Sequence, residues 1–348
     1  MDNRKTLIAV LASHDSISKN NELTEVIEEL FDKDKNKLGE FHFLFTGGTF
    51  GRLVLGKDTN TRLSNEPLLK PLRREVAEFI ESRATTLPDR KEGGVTILAN
   101  LIVQRQCSII WSFLSPVTVH WLNPENLALM RLCDLWNSKR LMNTESVRAW
   151  FRDEAERDMR RNPQKIHLKM TLGTTEDDGA WPEARCKKDK KYYEINLPDR
   201  ERHREEFWTQ FERQTIALIA HDSMKDRMVD FAIQYENELT KFKRILATGT
   251  TGQEVENACR NLREGKKIRR CLSGPKGGDI EIATEILFGR CHIVVFFIDP
   301  LHPHAHIDDI RVVFSACMAE IKDNEVRMLT NEVQAREWIE AAVRRRGI

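Results

Sequence analysis

The chain alternates short runs of consecutive apolar residues with longer stretches in which apolar residues return every three or four positions. LIAVLA (7–12), CSIIWSFL (107–114), IALIA (216–220) and HIVVFFI (292–298) are of the first kind. A strand covered on both faces has no polar side, so it reads as a continuous apolar run. Leu23 to Phe31, Met228 to Leu239 and Gln253 to Leu262 carry the helical spacing. Strands alternating with helices predict an α/β chain with doubly wound parallel sheets, which bind ligands at the carboxyl ends of their strands.

The pattern occurs twice. Cys107 and Cys291, Pro116 and Pro300, Cys133 and Cys317, and Gly93 and Gly277 are each 184 positions apart, and Asn143/Asn331 and Trp150/Trp338 are 188 apart. Upstream, TLIAVLASHDS (6–16) matches TIALIAHDS (215–223), and TGGTFG (46–51) matches TGTTG (248–252). A collinear series of this kind predicts a tandem duplication. The expected organisation is a first α/β domain over 1–151, a charged connector over 152–214 and a second α/β domain over 215–348. The connector opens with RDEAERDMRRN and closes with DRERHREEFWTQFERQ, whose Phe207, Trp208 and Phe211 suit docking on a neighbour. Period-two apolar spacing at Ile166 to Leu172 and Tyr193 to Leu197 fits a hairpin as well as a solvated linker.

Composition narrows the function classes. Lys and Arg total 55 against 54 Asp and Glu, so no global field draws nucleic acid or an anionic membrane. The longest apolar runs fall well short of the ~20 residues that span a bilayer. MDNRKTLIAV lacks the long apolar stretch of a signal peptide. Seven cysteines without a CxxC pair argue against a disulfide framework and for a reducing, cytoplasmic setting. His302, His304 and His306 alternate in a proline-rich loop with no matching cysteine set, so no metal site is expected. Cys271 has no evident paired base and reads as a small core residue, and Trp111, Trp136, Trp150 and Trp338 read as core.

Polar chemistry gathers just after the strands of the second copy. AHDSMK (220–225), TGTTG (248–252), SGPKGGD (273–279) and DPLHPHAHIDD (299–309) follow in turn. Threonine hydroxyls around Gly249 at a helix start suit a phosphate, with Lys225 as a point charge and Ser273 and Gly274 as further donors. His221, Asp222, Asp279, Asp299, His306 and Asp309 supply acids and bases around the same mouth. Together they describe a site for a small phosphorylated molecule with proton-transfer chemistry.

This array, over about 216–332, resembles methylglyoxal synthase. The resemblance implies a cofactor-free lyase that turns dihydroxyacetone phosphate into methylglyoxal and phosphate, on the α/β fold of that family. It implies Asp279 as general base, His306 held near Asp309 as the group acting on substrate oxygens, and His221 and Asp222 at the same mouth. Lys225, Thr248, Thr250, Thr251, Ser273, Gly274 and Gly278 would form the phosphate cradle. It also implies a homo-oligomer, three two-domain chains completing a pseudo-hexameric ring.

The first copy keeps His14, Asp15, Thr46 and the Gly93–Gly94 turn but not the reactive groups. Val95 stands for Asp279, Ser115 for Asp299, Leu122 for His306, Glu125 for Asp309, Ser18 for Lys225 and Gly48 for Thr250. Asp89-Arg90-Lys91 replaces Ser273-Gly274-Pro275. Valine accepts no proton, so the first copy is expected to be non-catalytic. The alternative for the whole chain is a sensor that binds a small phosphorylated or nucleotide ligand without turnover.

Overall fold

The computed structural model describes residues 4–12, 22–54, 56, 71–113, 123–161, 164–165, 210–299, 307–319 and 326–346. Two compact units divide the chain, Met1–Glu194 and Ile195–Ile348.

The first unit contains β1 (Arg4–Ala12), α1 (Glu22–Gly39), β2 (Phe41–Thr46), α2 (Gly47–Leu53), α3 (Arg74–Glu81), β3 (Ala84–Leu87), α4 (Gly94–Val103), β4 (Ile109–Phe113), α5 (Pro124–Leu135), β5 (Lys139–Leu141), α6 (Thr144–Asp153), α7 (Ala155–Arg161) and β6 (Gln164–Lys165). Its five parallel strands run in the order β3-β2-β1-β4-β5, and β6 adds an antiparallel pairing to β1. The helix α1 breaks at Asp34, whose carboxylate accepts the Lys37 N–H at 2.9 Å and so starts the second segment.

The second unit contains β7 (Thr215–Ala220), α8 (Lys225–Gln234), α9 (Glu236–Leu239), β8 (Arg244–Ala247), α10 (Gly249–Ala258), α11 (Arg260–Glu264), β9 (Ile268–Arg270), α12 (Gly278–Leu287), β10 (Ile293–Phe297), α13 (Ile307–Cys317), β11 (Arg327–Leu329) and α14 (Glu332–Arg345). Its parallel strands run β9-β8-β7-β10-β11, the same order as in the first unit. The apolar runs IALIA and HIVVFFI thus form the two central strands, whose side chains are buried on both faces.

Residues matched between the copies do matched work. Asn143 accepts the Ser146 N–H at 2.8 Å, and Asn331 accepts the Gln334 N–H at 3.0 Å, so both cap a helix. Trp150 and Trp338 are buried in their respective cores. Gly93 and Gly277 have φ of 85° and 106°, a left-handed turn that glycine enters without a side-chain clash.

Helices cover both faces of the second sheet. Met228 of α8, Val255 of α10 and Trp338 of α14 join Ile216, Leu218, Val295 and Phe297 in one cluster. Phe296 points the other way and meets Phe314 of α13, with ring centroids 6.2 Å apart. The helix α12 packs on α13, and all ten of its residues are buried. Phe211, immediately before β7, stacks on Phe242 at 4.4 Å and belongs to this unit's core.

The stretch 152–161, expected to open a connector, falls in α6 and α7 and packs on the first unit. Ala155 is buried in that unit's core. Asp158 accepts the Trp150 indole N–H at 2.8 Å and pairs with Lys139 at 2.6 Å. Trp136 differs from its core expectation: it caps α5 half-buried, beneath the Arg105 guanidinium at 4.7 Å. The expected hairpin, with Phe207 and Trp208, lies outside the described residues.

Candidate functional site

The strands β7 and β10 are neighbours, yet the chain leaves them toward opposite edges of the sheet, which opens a crevice at their carboxyl ends. A chain of hydrogen bonds spans it. The His221 N–H donates to Phe297 O at 3.1 Å, and the Asp299 N–H donates to His221 Nδ1 at 2.8 Å. Because Nδ1 accepts, the neutral ring carries its proton on Nε2. Ser223 Oγ donates to Asp299 Oδ2 at 2.6 Å. The buried His221 ring meets the Phe296 ring edge-on at 5.3 Å, so it sits on the side of the sheet that carries α13 and, packed on it, α12.

The next strand tip supplies hydroxyls and amides. Thr248 follows β8 as the N-cap of α10, and its Oγ1 lies 3.1 Å from the buried Thr251 Oγ1. Thr250, between them, is exposed. The first amides of α10 have no partner within the helix, which makes that end a donor surface for an anion. Gly249 donates to Leu272 O at 2.9 Å, and a Cβ there would fall 2.9 Å from the Ser273 nitrogen, so this approach requires glycine. Lys225 opens α8, which packs on α10, and its ammonium lies 2.6 Å from Asp222 and 3.8 Å from Glu254. Asp222 itself is 96% exposed.

The general-base candidate sits beside the third loop. Ser273 precedes the short turn Gly274–Lys276, Gly277 reverses the chain, and α12 begins at Gly278. The Gly278 N–H donates to Ser273 O at 3.1 Å. Asp279 follows in the first turn of α12, 2% exposed. Asp309 is fully buried in the first turn of α13, a helix that packs on both α12 and the 274–276 turn. His306, together with His302 and His304, lies outside the described residues. The elements thus bring Lys225 toward α10, Gly249 against Leu272 and Ser273, and the turns bearing Asp279 and Asp309 onto packed helices.

Two contacts were missed from the sequence. Ser223 holds Asp299. Glu281, one helical position beyond Ile280, accepts the Leu272 N–H on its carboxylate at 2.6 Å. The signal for Glu281 was present: it is a carboxylate two positions after Asp279, where the first copy has Ile97.

The first unit keeps the frame of this site. Thr46 and Thr49 hydroxyls lie 3.0 Å apart, Gly47 donates to Pro88 O at 3.3 Å, and Gly94 donates to Asp89 O at 3.0 Å. Val95 stands at the position of Asp279, fully buried.

Among the described residues, Cys107, Cys133, Cys259, Cys271 and Cys291 are buried and Cys317 is half-buried. Desolvation pushes Cys107 up to about 11 and Cys317 up to about 12, and holds Cys271 and Cys291 well above the usual thiol range. Cys271 is therefore poorly suited to act as a nucleophile. Among the described residues, no group of three or more His, Cys, Asp or Glu is placed to hold a metal ion, and no helix is long and apolar enough to cross a membrane.

Fold and site together define a doubly wound α/β unit with an anion-donor cradle, a buried carboxylate and a one-proton histidine at its switch point. A methylglyoxal synthase of Burkholderia vietnamiensis is 40% identical over 129 residues, 37% of this chain and 92% of that protein. The chain belongs to the methylglyoxal synthase family. A methylglyoxal synthase of Brucella anthropi is 47% identical over 102 residues, 29% of this chain and 78% of the relative. A crystal structure of methylglyoxal synthase from Elizabethkingia anophelis is 33% identical, covers 37% of this chain and 78% of its own, and has a TM-score of 0.32. No family model matches the chain.

Proposed function

We propose that the second unit converts dihydroxyacetone phosphate to methylglyoxal and inorganic phosphate, and that the first unit is non-catalytic. The observation that carries the reading is the contrast at one structural position: Asp279 buried beside the Ser273–Gly274 turn in one unit, Val95 in the other. The family relationship supports lyase chemistry for the matched region.

In this reading Asp279 takes a proton from C3 of the substrate, and the electron pair moves onto the C2 oxygen to give an enediolate. His221, through Nε2–H, and His306, held near Asp309, stabilise the charge on the substrate oxygens. Asp222 sets the position of Lys225. The C2 oxygen takes up a proton, the C3 hydroxyl gives one up and becomes a carbonyl, and the C2–C3 π pair shifts to C1–C2 as the C1–O bond breaks and phosphate leaves with its electrons. The resulting enol gains a proton at C1, loses its hydroxyl proton and becomes methylglyoxal. Lys225, the α10 amides, the hydroxyls of Thr248, Thr250 and Thr251, and Ser273 with the Gly274 amide hold the phosphate and absorb the charge of its departure. Gly278 lets the cradle close on the base. No metal or organic cofactor enters the scheme. Three chains, in the same reading, complete a ring of six units in the cytoplasm.

The test measures methylglyoxal and phosphate release from dihydroxyacetone phosphate by wild type and Asp279→Asn. Loss of about 10²–10⁴-fold in kcat, with inorganic phosphate still bound, is the expected result for a missing general base. A silent wild type that binds phosphate would instead support the sensor reading.

A further inference from the structure

The catalytic scheme leaves Glu281 without a task, although it lies two residues from the general base and is only 7% exposed. Its carboxylate accepts the N–H of Leu272 at 2.6 Å, and the carbonyl of that same residue accepts the N–H of Gly249 at 2.9 Å. Leu272 is therefore a junction. It connects α12, which carries Asp279, to the first turn of α10, and it is followed directly by Ser273 and Gly274.

The first unit provides an internal comparison. At the 184-residue offset, Pro88 stands for Leu272 and Ile97 for Glu281. Proline has no N–H and isoleucine has no acceptor, so both halves of this hydrogen bond are missing together. The architectural bonds persist: Gly47 to Pro88 O at 3.3 Å matches Gly249 to Leu272 O, and Gly94 to Asp89 O at 3.0 Å matches Gly278 to Ser273 O. The turn keeps its shape without the carboxylate–amide bond. That bond accompanies Asp279 and is absent where Val95 takes its place.

We infer that Glu281 is a positioning residue, which fixes the Leu272–Ser273–Gly274 segment of the phosphate cradle in register with Asp279. The inference rests on the lyase reading of the second unit. A carboxylate is the strong acceptor for a backbone amide, and the bond is largely withdrawn from solvent on the Glu281 side, so its loss lets the cradle shift relative to the base. A competing role for Glu281 is counter-charge to Arg269, whose guanidinium its carboxylate also influences. The two roles differ in what glutamine can replace.

The experiment compares full-length wild type with Glu281→Gln, Glu281→Leu, Leu272→Pro and the double variant Glu281→Leu/Leu272→Pro. It reads the Kd for inorganic phosphate, KM and kcat with dihydroxyacetone phosphate, and the unfolding midpoint. Glu281→Leu and Leu272→Pro are each expected to weaken phosphate binding and raise KM about tenfold, the effect of one charge-assisted hydrogen bond. The double variant should be no worse than either alone, because each change removes the same bond. Glu281→Gln should stay within about threefold of wild type, since its amide oxygen still accepts.

Three results would overturn the inference: Glu281→Gln as impaired as Glu281→Leu, losses that multiply in the double variant, or a Glu281→Leu protein with wild-type phosphate Kd and KM. A wild type that binds no inorganic phosphate would overturn it as well. If Leu272→Pro does not fold, the leucine and glutamine variants of Glu281 decide alone. If the wild type binds phosphate but turns over no dihydroxyacetone phosphate, the lyase reading fails, while the phosphate constants still judge Glu281.

Discussion

Gly278 is the residue at which one methyl group would do the most harm. A Cβ there would lie 1.9 Å from Leu272 O, and at Gly94 in the first unit it would lie 2.0 Å from Pro88 O. Backbone carbonyls cannot step aside as a flexible side chain can. Gly278→Ala is therefore expected to cost about 2–3 kcal/mol in denaturant unfolding and to push the cradle off the base. The same change at a glycine without such a neighbour would be nearly silent. At this scale the sequence was informative wherever a residue type has few uses: the paired glycines marked a turn, and the threonines around Gly249 marked a helix start after a strand. It was silent about the Asp299 amide on His221, since every residue but proline carries that donor and only the register of β7 against β10 aims it.

Among the elements, α12 shows how charge is admitted to a fully covered helix. Glu285 lies 3.2 Å from Arg269 and 2.9 Å from Arg290, all three largely removed from solvent. In the first unit Thr85, Leu101 and Gln106 occupy these positions, so the fold stands without the triad. Ion pairs of this kind hold little net stability, but half of one is costly. Glu285→Leu alone is expected to destabilise the protein by about 3 kcal/mol, because it strands two guanidinium groups. The triple replacement with threonine, leucine and glutamine should recover most of that in the same unfolding measurement. The central strands of the second unit were legible because continuous apolar runs admit few alternatives, and the helical spacing at 228–239 and 253–262 was legible too, although each stretch divides into two helices. The helix α7 was legible as a helix but not as part of the first unit. Charge on its outer face concealed the contribution of Ala155, Asp158 and Met159, which only the sheet beneath them reveals.

For the molecule as a whole, the shared strand order makes each unit topologically equivalent to the other, so a ring built from six such units needs three chains. Light scattering under native conditions should give three chain masses, and a stable monomer would exclude the ring. The order of units was readable from the 184-residue spacing, because the matched cysteines, glycines and tryptophans hold fixed places in a repeated frame. That Val95 stands where the second unit has Asp279 was readable from the same spacing. How the cradle is tied to the base was not, since that requires two residues nine positions apart to meet across a turn.

The presence of Pro88 and Ile97 where the second unit has Leu272 and Glu281 also bears on how these positions of the first unit tolerate change. Pro88 and Ile97 are both buried. Restoring leucine at 88 alone would leave an amide sealed from water with nothing to receive it, and restoring glutamate at 97 alone would bury a carboxylate with no donor. Either step taken singly is uphill by about 1–3 kcal/mol or more. Exchanging Pro88 and Ile97 for leucine and glutamate one residue at a time therefore passes through a less stable protein, so the two positions are expected to change together.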